Sequence, residues 1–120
     1  MGLTHVTTTL RTSPTAKKAF RADFLVDTWA TDCVAPGRRL RAIGIRPVGK
    51  TAYELADGTP REYAFGIAVI EFLGDITAGR VIFGPDDVEP ILGVTALEST
   101  GVTVDPKTRT LKRLPAIPLK

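Results

Sequence analysis

Short runs of alternating or continuous apolar residues dominate this chain, and helical periodicity is scarce. Residues 4–10 are rich in Thr and Val, which suit a pleated, half-buried surface, and residues 20–26 resume the pattern after the Ser13-Pro14 turn. These two runs predict a hairpin. Residues 38–43, with Pro36 near the first turn and Gly44 as the stop, predict a short helix. Residues 51–55 and 61–73 flank Asp57-Gly58, the strongest local hairpin signal in the chain. Gly74-Asp75 turns the chain towards a short strand at residues 81–83, and an acidic loop follows over 85–90. One or two helical turns are expected over residues 95–100, closed by Gly101. Strands at 102–104 and 110–114 then flank the Asp105-Pro106-Lys107 turn, and residues 115–120 form a tail, loose or exchanged with a partner. Many short strands and two helix candidates predict an all-β barrel or sandwich, as one domain over residues 1–120.

Composition narrows the function classes. Hydrophobic residues make up 43% and charged residues 24%, as in ordinary globular proteins, so disorder is not expected. Sixteen Lys and Arg against thirteen Asp and Glu give a net charge of +3, but the basic residues are scattered. The densest group, Arg38, Arg39 and Arg41, reads as the solvated face of a helix, and aromatic residues do not interleave with it. No nucleic-acid partner is expected. The longest apolar run, residues 65–73, is broken by Glu71 and too short to span a bilayer, so no membrane partner is expected either. The start lacks a basic stretch followed by an apolar run, which makes a cytoplasmic location the default expectation.

Three candidate sites have simpler accounts. Residues 44–51 match the phosphate-loop pattern letter for letter, ending in Gly49-Lys50-Thr51. That pattern works between a strand and a helix, whereas here a helix is predicted before it and a strand after it, and Pro47 lacks a backbone donor. Cys33 and His5 are the only residues of their kinds, so a zinc site is not expected and Cys33 reads as a buried structural thiol. Asp86, Asp87 and Glu89 read as a solvated loop. No metal and no cofactor are expected.

The segment over residues 24–31 carries the chemistry. An Asp-Thr pair directly follows an apolar strand, so the Asp27 carboxylate leaves the sheet beside the core, where it needs hydrogen bonds or a partner. The residues alone leave two roles open: Asp27 caps a turn, or it works in catalysis.

The run Val26-Asp27-Thr28-Trp29-Ala30-Thr31 resembles the aspartic protease signature, and Ile91-Leu92-Gly93 with a short helix after it resembles the second element of that family. Residues 53–65, with the Asp57-Gly58 tip, stand where these proteases carry a flap. Over residues 3–114 the order is similar to that of retropepsin-like proteases, and the Leu-Ala-Asp-Gly and Leu-Gly-Val-Thr runs resemble small prokaryotic relatives most. The resemblance implies a closed β-barrel and an Asp27 carboxylate paired with a second one to activate water, the two sharing a proton. Only one Asp-Thr-x-Ala copy is present, so it implies a homodimer acting on a peptide or protein substrate. It further implies that Thr28 and Gly93 support the dyad, and that Trp29, Ala30, Thr31, Asp57 and Gly58 line the substrate groove. Trp29 departs from the pattern, which has Gly there for close approach of substrate backbone. The alternative the departure raises is a non-catalytic, protease-like dimer or peptide-binding module with Trp29 in its groove.

Overall fold

Alternation in the second apolar run buries Phe20, Phe24 and Val26 and leaves Arg21 and Asp23 in solvent. This is what a strand with one face on a core requires. The chain is seen here in a computed structural model that describes residues 4–119. Leu3, where the resemblance begins, and Lys120, the end of the tail, lie outside the described residues. The strands are β1 (His5–Arg11), β2 (Phe20–Val26), β3 (Cys33–Pro36), β4 (Gly49–Glu54), β5 (Pro60–Phe72), β6 (Asp75–Gly84), β7 (Ile91–Leu92), β8 (Val102–Asp105) and β9 (Thr110–Arg113). The helices are α1 (Gly37–Ala42) and α2 (Val94–Ser99).

Seven strands form one sheet in the order β1-β2-β7-β3-β6-β5-β4, and a further β1–β5 pairing, from Thr8↔Phe72 to Arg11↔Val69, closes it into a ring. Among the described residues, closure leaves only the projecting β4 as an edge of this sheet and encloses a single side-chain core. Leu10, Phe24, Leu40, Val81 and Leu92 are fully buried in it, with Ile70 and Leu97 nearly so. Strand β5 is long because it has two jobs. Its first half pairs with β4 as a projecting hairpin, its second half pairs with β1, and β6 runs alongside from Phe65↔Ile82 to Phe72↔Asp75. Among the described residues, no helix is long and apolar enough to cross a membrane.

The expected β1–β2 and β4–β5 hairpins and the two helices are present, within two residues of their predicted ends. Strand β6 is longer than the predicted residues 81–83. Ala78, Gly79 and Arg80 carry little strand propensity, and their partners in β5 hold them extended. Strand β3 was not predicted at all. Its four residues are too few to show a period, and it is defined by parallel pairing with β6 and one antiparallel bridge, Val34↔Ile91. The phosphate-loop match lies between α1 and β4, with β4 itself beginning at Gly49, so no helix opens at Lys50. This is the reverse of the order a phosphate cradle uses.

Candidate functional site

The site begins where β2 ends. Leu25 and Val26 run parallel to Ile91 and Leu92 of β7, and the Asp27 amide continues the ladder by donating to the Leu92 carbonyl at 3.1 Å. The chain then turns sharply. The Ala30 amide donates to the Asp27 carbonyl at 3.2 Å, and the Trp29 amide donates to Asp27 Oδ1 at 2.9 Å. The carboxylate therefore caps its own turn, in the way short acidic side chains often do. It remains half-buried at the turn, and its second oxygen is outside this bond.

From the other side the junction of β7 and α2 straps the same loop. The Val94 amide donates to the Ala30 carbonyl at 2.7 Å, and Thr95 donates to Thr31 at 3.1 Å. Gly93 immediately precedes these two donors. A Cβ there would stand 2.6 Å from the Asp32 carbonyl carbon and oxygen and 2.9 Å from the Thr31 oxygen. Its φ of −86° is open to any residue, so the glycine is required for space rather than for backbone conformation. Thr28 and Trp29 are exposed at the tip of the turn, Trp29 at 81%. Trp29 is not among the described non-glycine residues with positive φ, so the loop carries this bulky side chain without backbone strain.

Opposite the loop stands the β4–β5 hairpin. The Gly58 amide donates to the Leu55 carbonyl, and the Leu55 amide donates to the Thr59 carbonyl, both at 2.8 Å. Gly58, at φ +85°, takes the left-handed position such a turn needs. Asp57 Oδ1 accepts from the Thr59 amide at 2.9 Å, and this bond holds its carboxyl below the usual range. Between loop and hairpin lies a cleft of about 840 Å³. Its walls include Asp27, Trp29, Ala30, Thr31 and Asp32 from the loop and Tyr53, Glu54, Gly58 and Tyr63 from the hairpin. Val34, Ile82, Val88 and Ile91 supply an apolar part of the wall. Of the residues singled out in the sequence, Asp27, Trp29, Ala30, Thr31 and Gly58 meet at this cleft, whereas Thr28, Gly93 and Asp57 are outside its lining.

Two residues at the cleft escaped the sequence reading. Tyr53 donates its hydroxyl proton to Asp32 Oδ2 at 2.8 Å and so ties the hairpin to the loop. Burial, followed by this bond and the negative charge of Asp32, raises the Tyr53 hydroxyl above its usual 10.0, with Arg80 opposing. Asp32 directly follows the signature, but nothing local in the sequence links it to a tyrosine 21 residues away. Cys33 is 1% exposed, and burial pushes its thiol up to about 11. A thiol so placed is a poor nucleophile. His5 is engaged elsewhere, 2.9 Å from Glu89, while Asp86 lies 3.8 Å from Arg38.

No family model matches the chain, and no curated protein matches it in sequence. Solved structures do match. The retroviral protease-like domain of Ddi1 from Leishmania major aligns over 97% of this chain and 91% of its own, at 17% identity and a TM-score of 0.59. A retropepsin-like aspartic protease from Rickettsia conorii aligns over 87% of this chain and 85% of its own, at 19% identity and a TM-score of 0.50. At these identities the likeness concerns the fold. With its ring of strands, the β7–α2 strap behind the Asp27 loop and the hairpin facing that loop, the chain adopts the retropepsin-like fold.

Proposed function

We propose that this chain is a single retropepsin-like domain forming one half of a homodimeric aspartic endopeptidase, with Asp27 and the Asp27 of a second copy activating a water. The observation that carries the reading is the place of Asp27: at the end of β2, half-buried, in the wall of a cleft faced by the β4–β5 hairpin. One carboxylate cannot both accept the proton of water and polarise the scissile carbonyl. Two sharing a proton can do both. A twofold axis beside the loop would supply the second from an identical chain, and Thr28, exposed at the tip, would brace the two loops across it. The exposed apolar residues Leu114, Ile117 and Leu119 near the C-terminus give a second copy something to bury. Peptide substrate would lie extended in the cleft, with the hairpin around Asp57 and Gly58 closing over it and excluding water.

A second reading rests on one observation, the 81% exposure of Trp29 in the cleft wall. A free indole there would fill the groove of a dimer that binds peptides without cleaving them. Two measurements separate the possibilities. Sedimentation at micromolar concentration is expected to show twice the 12.9 kDa chain mass, and a strictly monomeric species would remove the dyad. Peptide cleavage, expected to be strongest at acid pH because the pair must hold one proton, should disappear in Asp27→Asn with the dimer retained. Absence of cleavage in the wild-type dimer at any pH would favour the binding module.

A further inference from the structure

The chain carries a net charge of +3, yet the charged side chains in the cleft wall, Asp27, Asp32 and Glu54, are all acidic. Two arginines lie close to the wall and are engaged: Arg80 stacks 4.0 Å over the Phe65 ring and donates to Thr51, and Arg61 lies 5.7 Å over Tyr63. Neither is in the lining. Asp32 is held in place through one oxygen by Tyr53, and among the described residues its Oδ1 has no hydrogen-bond partner. Glu54 is exposed on the hairpin, and its side chain has no ion pair or hydrogen bond among the described residues. Around these carboxylates stand three aromatic rings, Trp29, Tyr53 and Tyr63, whose faces attract cations.

The geometry points to a cleft selective for cationic peptides, with Asp32 and Glu54 as specificity-determining residues that receive Arg or Lys side chains of a peptide that also carries an apolar residue. The apolar residue has its own place against Val34, Ile82, Val88 and Ile91. Asp27 is not counted for specificity, since its role in the proposed reaction is separate. In a dimer each copy contributes the same carboxylates, so the preference would be repeated on both sides of the axis. A cleft lined by one sign of charge also raises the local concentration of oppositely charged ligands, which adds to association rate as well as affinity.

The inference rests on the cleft being a peptide groove, but not on catalysis. It is tested in the Asp27→Asn chain by fluorescence anisotropy with dye-labelled peptides of about eight residues, ~27 Å when extended. The peptides share an apolar centre and differ only in flanking Arg, Gln or Glu pairs. The Arg peptide is expected to bind at least about tenfold more tightly than the Glu peptide. The margin should shrink as salt shortens the screening length from about 10 Å at 0.1 M to about 3 Å at 1 M. Glu54→Lys should cut the margin several-fold, and since Glu54 has no partner to lose, misfolding is not a concern. Asp32→Asn, which keeps an acceptor for Tyr53, should cut it again. Equal binding of the three peptides, no binding of any, or a margin unchanged in both variants would overturn the inference. Failure of wild-type chain to cleave a bound Arg peptide would count against the protease reading alone.

Discussion

The Tyr53 hydroxyl and the Asp32 carboxylate, 2.8 Å apart, join the projecting hairpin to the loop that carries Asp27. This bond is a side-chain tie between the two walls of the cleft. It restrains the hairpin through the turn-proximal end of β4, just before the Leu55–Thr59 turn.

Tyr53→Phe removes the tie without removing the ring. The variant is expected to lose about 1 kcal/mol of stability in denaturant titration. Amide exchange over residues 54–59 should accelerate, whereas exchange in β1 and β2 stays as it was. Unchanged exchange in the hairpin would mean that strand pairing alone holds it. The tyrosine also sets an alkaline limit. Its folded-state pKa lies above the ordinary 10.0, so its contribution is fully present below pH 10 and fades as pH rises through the higher folded value. That part of the alkaline decline should be missing in Tyr53→Phe.

Gly93→Ala is expected to be among the most damaging small substitutions in the chain. The added methyl would meet backbone atoms of Thr31 and Asp32 at 2.6–2.9 Å, and backbone cannot swing aside as a side chain can. A cost of about 1–3 kcal/mol is expected, read from the denaturant midpoint. Gly79→Ala is the control. Nothing lies within 4 Å of a Cβ at that position, so the same chemical change should shift the midpoint little. Equal effects of the two would show that chain entropy, not the contact behind the loop, sets the response.

Cys33 should resist alkylation in the folded chain at pH 8 and react readily once unfolded. It is 1% exposed, and its thiol is raised by burial from 9.0 to about 11. The same shift predicts that stability due to this group is complete below pH 9 and is lost as pH rises towards 11. Mass spectrometry after a short iodoacetamide pulse checks the first point. Fast modification of native chain would show that the β3 region opens without global unfolding.

Trp29→Gly tests the departure from the protease pattern. With the indole 81% exposed, its loss should leave the fold of the isolated chain nearly unchanged, apart from about 1 kcal/mol for the added backbone freedom. Peptide cleavage is expected to rise, because an indole in the wall of the same cleft would take space that substrate backbone needs, and a misplacement of about 1 Å can cost a hundredfold. A folded Gly variant that cleaves no better than wild type would make Trp29 a working part of the groove.

Much of this architecture is written locally. The Thr- and Val-rich runs of β1 and β2 and the Asp57-Gly58 hairpin are each defined by neighbours a few residues apart, as are the stops at Gly44 and Gly101, so propensity and turn chemistry suffice to place them. The position of Asp27 at the end of an apolar strand, and the absence of a second Asp-Thr copy, can likewise be read from the sequence. Other features depend on groups distant in the chain. Strand β3 and the first half of β6 have no pattern of their own and exist because partners complete their hydrogen bonds. The need for glycine at position 93 appears only when the Thr31-Asp32 backbone is packed against it. Asp32 and Tyr53, separated by 21 residues, become one unit only where the hairpin leans over the loop. Sequence by itself determined the locally patterned strands, the turns and the candidate acid. Closure of the sheet decided which side chains face one another across the cleft, because side-chain contacts between distant segments are fixed by packing rather than by local conformational preference.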